Sequence, residues 1–268
     1  MPRLVRRSGL TLIELLIAVS IMAMVTGSLA ALSHGVRLAF EYTEGHGLAT
    51  QHARVVLDRM ARHVEGATAS ERFPGFLVVP TMDGGVEYPE TLVIWHPTST
   101  ASDPSGLPKF NELIIYAPSL SSPSQLLEIT VPSDTRTTPD ITNLSQWRTE
   151  LNSIRGSSRS QEYALTSLLR TVGLAGSAGN GQSRGAVRFT TRLRPSEAEW
   201  TAYKNGTRAW ASLPWMQGVF GSKTGLRQAS LAIELQLMPG DVPIVANAGS
   251  RIPIPFFGAA ALVYRLER

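Results

Sequence analysis

Gly9-Leu10-Thr11-Leu12-Ile13-Glu14-Leu15-Leu16-Ile17-Ala18-Val19 opens an apolar run that continues through Ile21, Met22, Met24, Val25 and Leu29 to Leu32, with Glu14 its one charged residue. Read as a helix, residues 10–32 rise about 34 Å at about 1.5 Å per residue, enough for a hydrocarbon core of about 30 Å. Arg3, Arg6 and Arg7 lie ahead of the run, and the positive-inside rule puts that end in the cytoplasm. A carboxyl near the start of a spanning helix is costly in lipid, so Glu14 asks for a partner or a function. An ordinary secretory signal ending at the small-x-small site Ser28-Leu29-Ala30 would have to begin its apolar region around a glutamate and run longer than usual. A plain anchor leaves Glu14 unexplained.

Outside this run the bulk composition narrows the classes. With 268 residues and 43% hydrophobic content the chain can build one sizeable core. The net charge is +4, of which Arg3, Arg6 and Arg7 supply three, leaving +1 for the rest. That balance predicts no strong nucleic-acid surface. The chain has no cysteine, which removes disulfides, thiolate metal sites and cysteine nucleophiles together.

Arg6-Arg7-Ser8 followed by Gly9-Leu10-Thr11-Leu12-Ile13-Glu14 and an apolar helix resembles the cleavage and methylation motif of type IV prepilins and type II secretion pseudopilins. The resemblance implies cleavage by a prepilin peptidase between Gly9 and Leu10, and N-methylation of Leu10. It also implies a role for Glu14 in filament assembly, paired with the terminal amine of a neighbouring pilin or pseudopilin subunit. The physics agrees, since a buried carboxylate is tolerable when a cation meets it in a low-dielectric bundle. Leu10 stands where the family usually has phenylalanine, and the run lacks the proline common in major subunits, which leans toward a minor subunit.

Further along, Gly35, Gly45 and Gly47 interrupt helix propensity, and Leu48 to Ala67 recovers it: Ala53, Val56, Leu57, Met60, Val64 and Ala67 recur on one face. After Phe73-Pro74-Gly75 come β-like runs at Phe76–Val79, Thr91–His96, Glu112–Tyr116, Gln125–Val131, Ala186–Leu193, Ala229–Met238 and Ala259–Leu266, bounded by turn residues. Short helices are expected around Trp147 and over Tyr163–Leu169. A third is expected after Pro195-Ser196, with the proline in its first turn. The fold expected is α+β and pilin-like, a long N-terminal helix, transmembrane in its first half, packed on an antiparallel β-sheet domain. The divisions are a leader over 1–9, a filament-core helix over 10–32, an amphipathic helix over 33–70 and a β-rich periplasmic or extracellular domain over 71–268. This layout is similar to J-type minor pseudopilins and PilW-like minor pilins.

Signals for catalysis are weak. His34, His46, His52, His63 and His96 make no close ligand pair in sequence. The glycines from Gly173 to Gly185 lack the lysine and hydroxyl that end a phosphate loop and read as a mobile loop, and no G-x-S-x-G elbow occurs. No cofactor is expected. Some pseudopilins hold a loop calcium, and that question stays open here because Asp83, Asp103, Asp134 and Asp140 are scattered. The aromatic region around Trp200, Tyr203, Trp210 and Trp215 reads first as core. The expected function is therefore structural, that of a minor pseudopilin of a type II secretion system held first in the inner membrane. One alternative is a type IV pilus minor pilin for adhesion, motility or DNA uptake. Another, a membrane-anchored carbohydrate-binding or hydrolytic protein, would need polar groups converging in a cleft around Trp200 to Trp215.

Overall fold

The computed structural model describes residues 11–173, 183–216, 225–239 and 252–266, so Gly9 and Leu10 lie outside the described residues. Helix α1 spans Leu12–Glu65. It is followed by strands β1 (Phe76–Asp83), β2 (Val86–Trp95), β3 (Leu113–Pro118) and β4 (Leu126–Thr130), then helix α2 (Leu144–Ile154). Strands β5 (Gln161–Thr166), β6 (Thr171–Gly173), β7 (Ser183–Gly185) and β8 (Val187–Arg194) lead to helix α3 (Glu197–Lys204) and strands β9 (Leu226–Leu237) and β10 (Ile254–Arg265). The chain divides into two compact units, one up to Gly47 and one from Leu48 onward.

In the first unit α1 passes through Gly35, Gly45 and Gly47 without a break, contrary to the interruption their low helix propensity suggests. Each glycine costs about 1 kcal/mol against alanine, and Arg37, Leu38, Ala39, Glu41 and Glu44 between them are residues of good helix propensity that carry the hydrogen-bond ladder across. The hydroxyls of Ser20, Thr26, Ser28 and Thr43 each donate to the carbonyl four residues back, at 2.8–2.9 Å. Those bonds satisfy polar side chains that would otherwise be exposed to an apolar surrounding.

The second unit is an α+β body. β1 to β5 form an antiparallel sheet in sequence order, while β10-β9-β8 form a second, three-stranded antiparallel sheet and β6-β7 a small ribbon. From Ala49 on, α1 buries Ala49, Ala53, Val56, Met60 and Val64 in a core shared with both larger sheets. The first sheet contributes Phe76, Leu92, Ile94, Ile114, Tyr116 and Leu126 to that core, and the second contributes Val187, Phe189, Leu231, Ile233, Leu235 and Leu262. The five-stranded sheet is buried on its other face as well, where Val93, Trp95, Leu113, Ile115 and Ile129 meet Trp147, Leu151 and Ile154 of α2. Burial on both faces explains why Leu92-Val93-Ile94-Trp95 is continuously apolar rather than alternating. The three-stranded sheet is buried on one face only, and β9 accordingly alternates buried and more exposed positions along its length.

All seven expected runs are strands. Tyr163–Leu169, expected as a helix, instead contributes most of β5, paired with β4. The residues favour a helix locally, but the open edge of β4 offers a full set of backbone partners and tertiary pairing decides. Ser196 is the N-cap of α3 in a capping box with Glu199, so Pro195 precedes the cap instead of occupying the first turn. The glycine-rich stretch is framed by β6 and β7, where Thr171 pairs with Gly185 and Gly173 with Ser183, and Gly176, Gly179 and Gly181 lie outside the described residues.

Candidate functional site: the start of the apolar helix

At the first turn of α1, the Thr11 backbone N–H and hydroxyl both donate to Glu14 Oε2 at 2.9 Å. The Glu14 N–H in turn donates to Thr11 Oγ1 at 3.4 Å, and Leu15 N–H to the Thr11 carbonyl at 3.2 Å. This is a reciprocal capping box. Thr11 stands at the N-cap and Glu14 three residues on, so two backbone donors that the helix leaves orphaned are satisfied. T-x-x-E ahead of an apolar run is the sequence signature of that box, so the cap is legible in the sequence itself. Glu14 is thus already partnered within its own chain, by bonds that a cation could replace.

Beyond Glu14 no Asp, Glu, Lys or Arg occurs until Arg37, a separation of about 35 Å along a helix at about 1.5 Å per residue. The apolar side chains over this stretch are exposed: Met22 is 71% exposed, Met24 73% and Leu32 65%. An 18-residue window of α1 has a mean hydropathy of 2.3, and none of it is buried. Such a surface cannot rest in water, since each apolar side chain covered gains roughly 1.5–3 kcal/mol. It needs lipid or other helices. Past Arg37, which pairs with Glu41 at 2.9 Å, Phe40 and Tyr42 are exposed, aromatic residues of the type that settle at a membrane–water boundary.

The second unit offers a tighter polar cluster. Arg59 donates twice to Glu128, Nε to Oε2 at 2.6 Å and Nη2 to Oε1 at 2.7 Å. The Tyr116 hydroxyl donates to Glu128 Oε2 at 3.0 Å, and His63 Nδ1 lies 2.6 Å from the same hydroxyl. Because that hydroxyl spends its proton on Glu128, His63 Nδ1 is the donor and its other nitrogen the acceptor. Burial alone would raise the Glu128 pKa, but bonds from Arg59 and Tyr116 hold it below the ordinary carboxylate value. Burial also lowers His63 and, together with Glu128, raises Tyr116. The cluster ties α1 to β3 and β4, and His96 packs its ring 5.0 Å from that of His63, a neighbour that their separation in sequence concealed.

The aspartates considered for calcium are not brought together. Asp83 pairs with Arg184, Asp103 accepts from Ser105 and Gly106, Asp134 chelates Arg136, and Asp140 accepts from Thr142. Among the described residues no three His, Asp or Glu side chains gather as metal ligands do. Trp200 and Trp215 are each 2% exposed and pack with Leu213 and Leu266, with Trp210 4.4 Å from Trp215 between ring centres. Their faces are spent on one another, as expected of core.

Residues 4–30 match the family model for the prokaryotic N-terminal methylation motif. No curated protein and no solved structure matches the chain. The matched segment contains Gly9, Leu10 and Glu14 and points to a structural protein rather than an enzyme, without separating J-type pseudopilins from PilW-like pilins. The methylation motif, standing at the head of a long apolar helix that leads into an α+β domain, is similar to that of type IV prepilins and pseudopilins and supports a pilin-like reading of the chain.

Proposed function

We propose that this chain is a minor pseudopilin of a type II secretion system. A prepilin peptidase cuts between Gly9 and Leu10 and methylates the Leu10 amine. The subunit waits in the inner membrane with its N-terminus cytoplasmic and its β-rich domain periplasmic, then enters a pseudopilus by its apolar helix. The observation that carries this reading is the Thr11–Glu14 box at the head of an exposed apolar helix. In lipid the carboxylate leans on its own cap. In a filament a neighbour's terminal ammonium offers a charge-assisted bond, roughly twice as strong as a neutral one, and lipid contact gives way to helix packing. A subunit out of register would leave both charges unpaired, so the exchange selects the axial position.

The secretion assignment is tested by deleting the gene and following both exported proteins and surface pili. Loss of export with pili intact is the expected result. Intact export with lost piliation, twitching or DNA uptake would make the chain a type IV pilus minor pilin instead.

A further inference from the structure

The outward face of the three-stranded sheet carries an uneven distribution of charge. On β8 the outward positions include Arg188, Arg192 and Arg194, all exposed. Arg265 stands on the same face at the end of β10. Arg170 reaches this face from beyond β5, donating from Nη1 to the Gln236 side chain at 2.8 Å. Against these five arginines the face has one carboxylate among the described residues, Glu234, held by Arg188 at 2.6 Å. Elsewhere in this unit several guanidinium groups meet carboxylates, Arg59 with Glu128, Arg136 with Asp134, Arg184 with Glu90 and Arg227 with Glu197, while Arg54 and Arg159 stand exposed and apart from one another in sequence and in element. Arg192, Arg194 and Arg265 make no ion pair with a described residue. A chain with +1 net charge outside its first nine residues (4 − 3) therefore concentrates unbalanced positive charge on one sheet face.

Between the arginines the centre of this face is built mostly of small side chains, with Gln228 and Gln236 on β9 as neutral polar neighbours. The register sets Thr190, Ala232 and Ala259 in one row, and Arg192, Ser230 and Ala261 in the next. Beside them Phe257 is 71% exposed and Val263 40% exposed. We infer that this face docks an acidic protein segment with interspersed aliphatic side chains. The arginine forks match carboxylates, and the small central residues let a backbone lie close, with Phe257 and Val263 taking its apolar side chains. Single-stranded nucleic acid is the poorer fit, because base stacking needs several aromatic rings and among the described residues this face presents Phe257 alone.

The test uses the full chain in uncharged detergent and a fluorescent peptide of repeated Glu-Glu-Leu, with an oligothymidylate of matched charge as competitor. Arg192→Glu with Arg194→Glu is expected to weaken peptide binding on the order of tenfold at low salt. Arg54→Glu with Arg159→Glu, an equal charge change at exposed positions elsewhere, is expected to leave it nearly unchanged. Phe257→Ser should weaken the Glu-Glu-Leu peptide and spare an all-glutamate one. Circular dichroism checks that each variant folds. Absent peptide binding, equal losses in the two charge reversals, or tighter binding of the oligothymidylate would each overturn the inference.

Discussion

Under the proposed function, Glu14 does two jobs at different times. In the isolated chain it closes the capping box with Thr11; in the proposed filament it meets a neighbour's amine. Glu14→Gln keeps a side-chain oxygen for the cap but removes the charge, so processing at Gly9–Leu10 should continue while incorporation into sheared filaments falls. Mass spectrometry of the N-terminus and immunoblots of the filament fraction check both halves, and normal incorporation of Glu14→Gln would sink the pairing. A second residue-scale prediction concerns His63. Its pKa is lowered, first by burial, so the unfolded chain takes up a proton at higher pH than the folded one. The stability tied to this group is therefore complete above the unfolded value near 6.5 and declines as pH falls below it. The Tm of the native chain should drop between neutral pH and mildly acid pH, and His63→Gln should flatten that decline; an unchanged slope would show that His63 plays no part. The Glu128 pKa is also lowered, with a like sign but a lower window, its contribution being lost only as pH falls through the acid carboxylate range.

At the scale of elements, α1 from Ala49 onward is the spine between two sheets, and Met60, fully buried in its middle, touches that shared core. Met60→Ala should cost about 2–5 kcal/mol, read as a lowered denaturation midpoint of the β-rich unit with helicity of the apolar segment retained. Gly75 supports the same junction from the other side. Its φ is +90°, and an added Cβ would run into Leu262 Cδ2. Gly75→Ala should therefore destabilise by about 1–3 kcal/mol. The face of α1 was legible in the spacing of Ala53, Val56, Met60 and Val64, and the buried strands were legible as branched and aromatic runs. β5 was not, because four of its six residues are exposed and its conformation is dictated by the strand beside it. The His63–Tyr116–Glu128–Arg59 cluster was equally hidden, since its members come from one helix and two strands far apart in sequence.

Across the whole molecule, each unit answers a different physical demand. The apolar helix of the first unit is stable as a helix yet unfinished as a surface, which is why it requires lipid or other helices. The second unit finishes its own burial on both faces of one sheet and on one face of the other. The N-terminal motif announced the first demand openly, because a short contiguous segment holds it all. The arginine face could not be seen in the same way, being assembled from β8, β9 and β10 by register. The measurement to make first is the N-terminal mass of the protein from cells with and without their prepilin peptidase. A terminus at N-methylated Leu10 that depends on the peptidase is the predicted result. Retention of Met1, or cleavage near Ala30, would contradict the pilin reading.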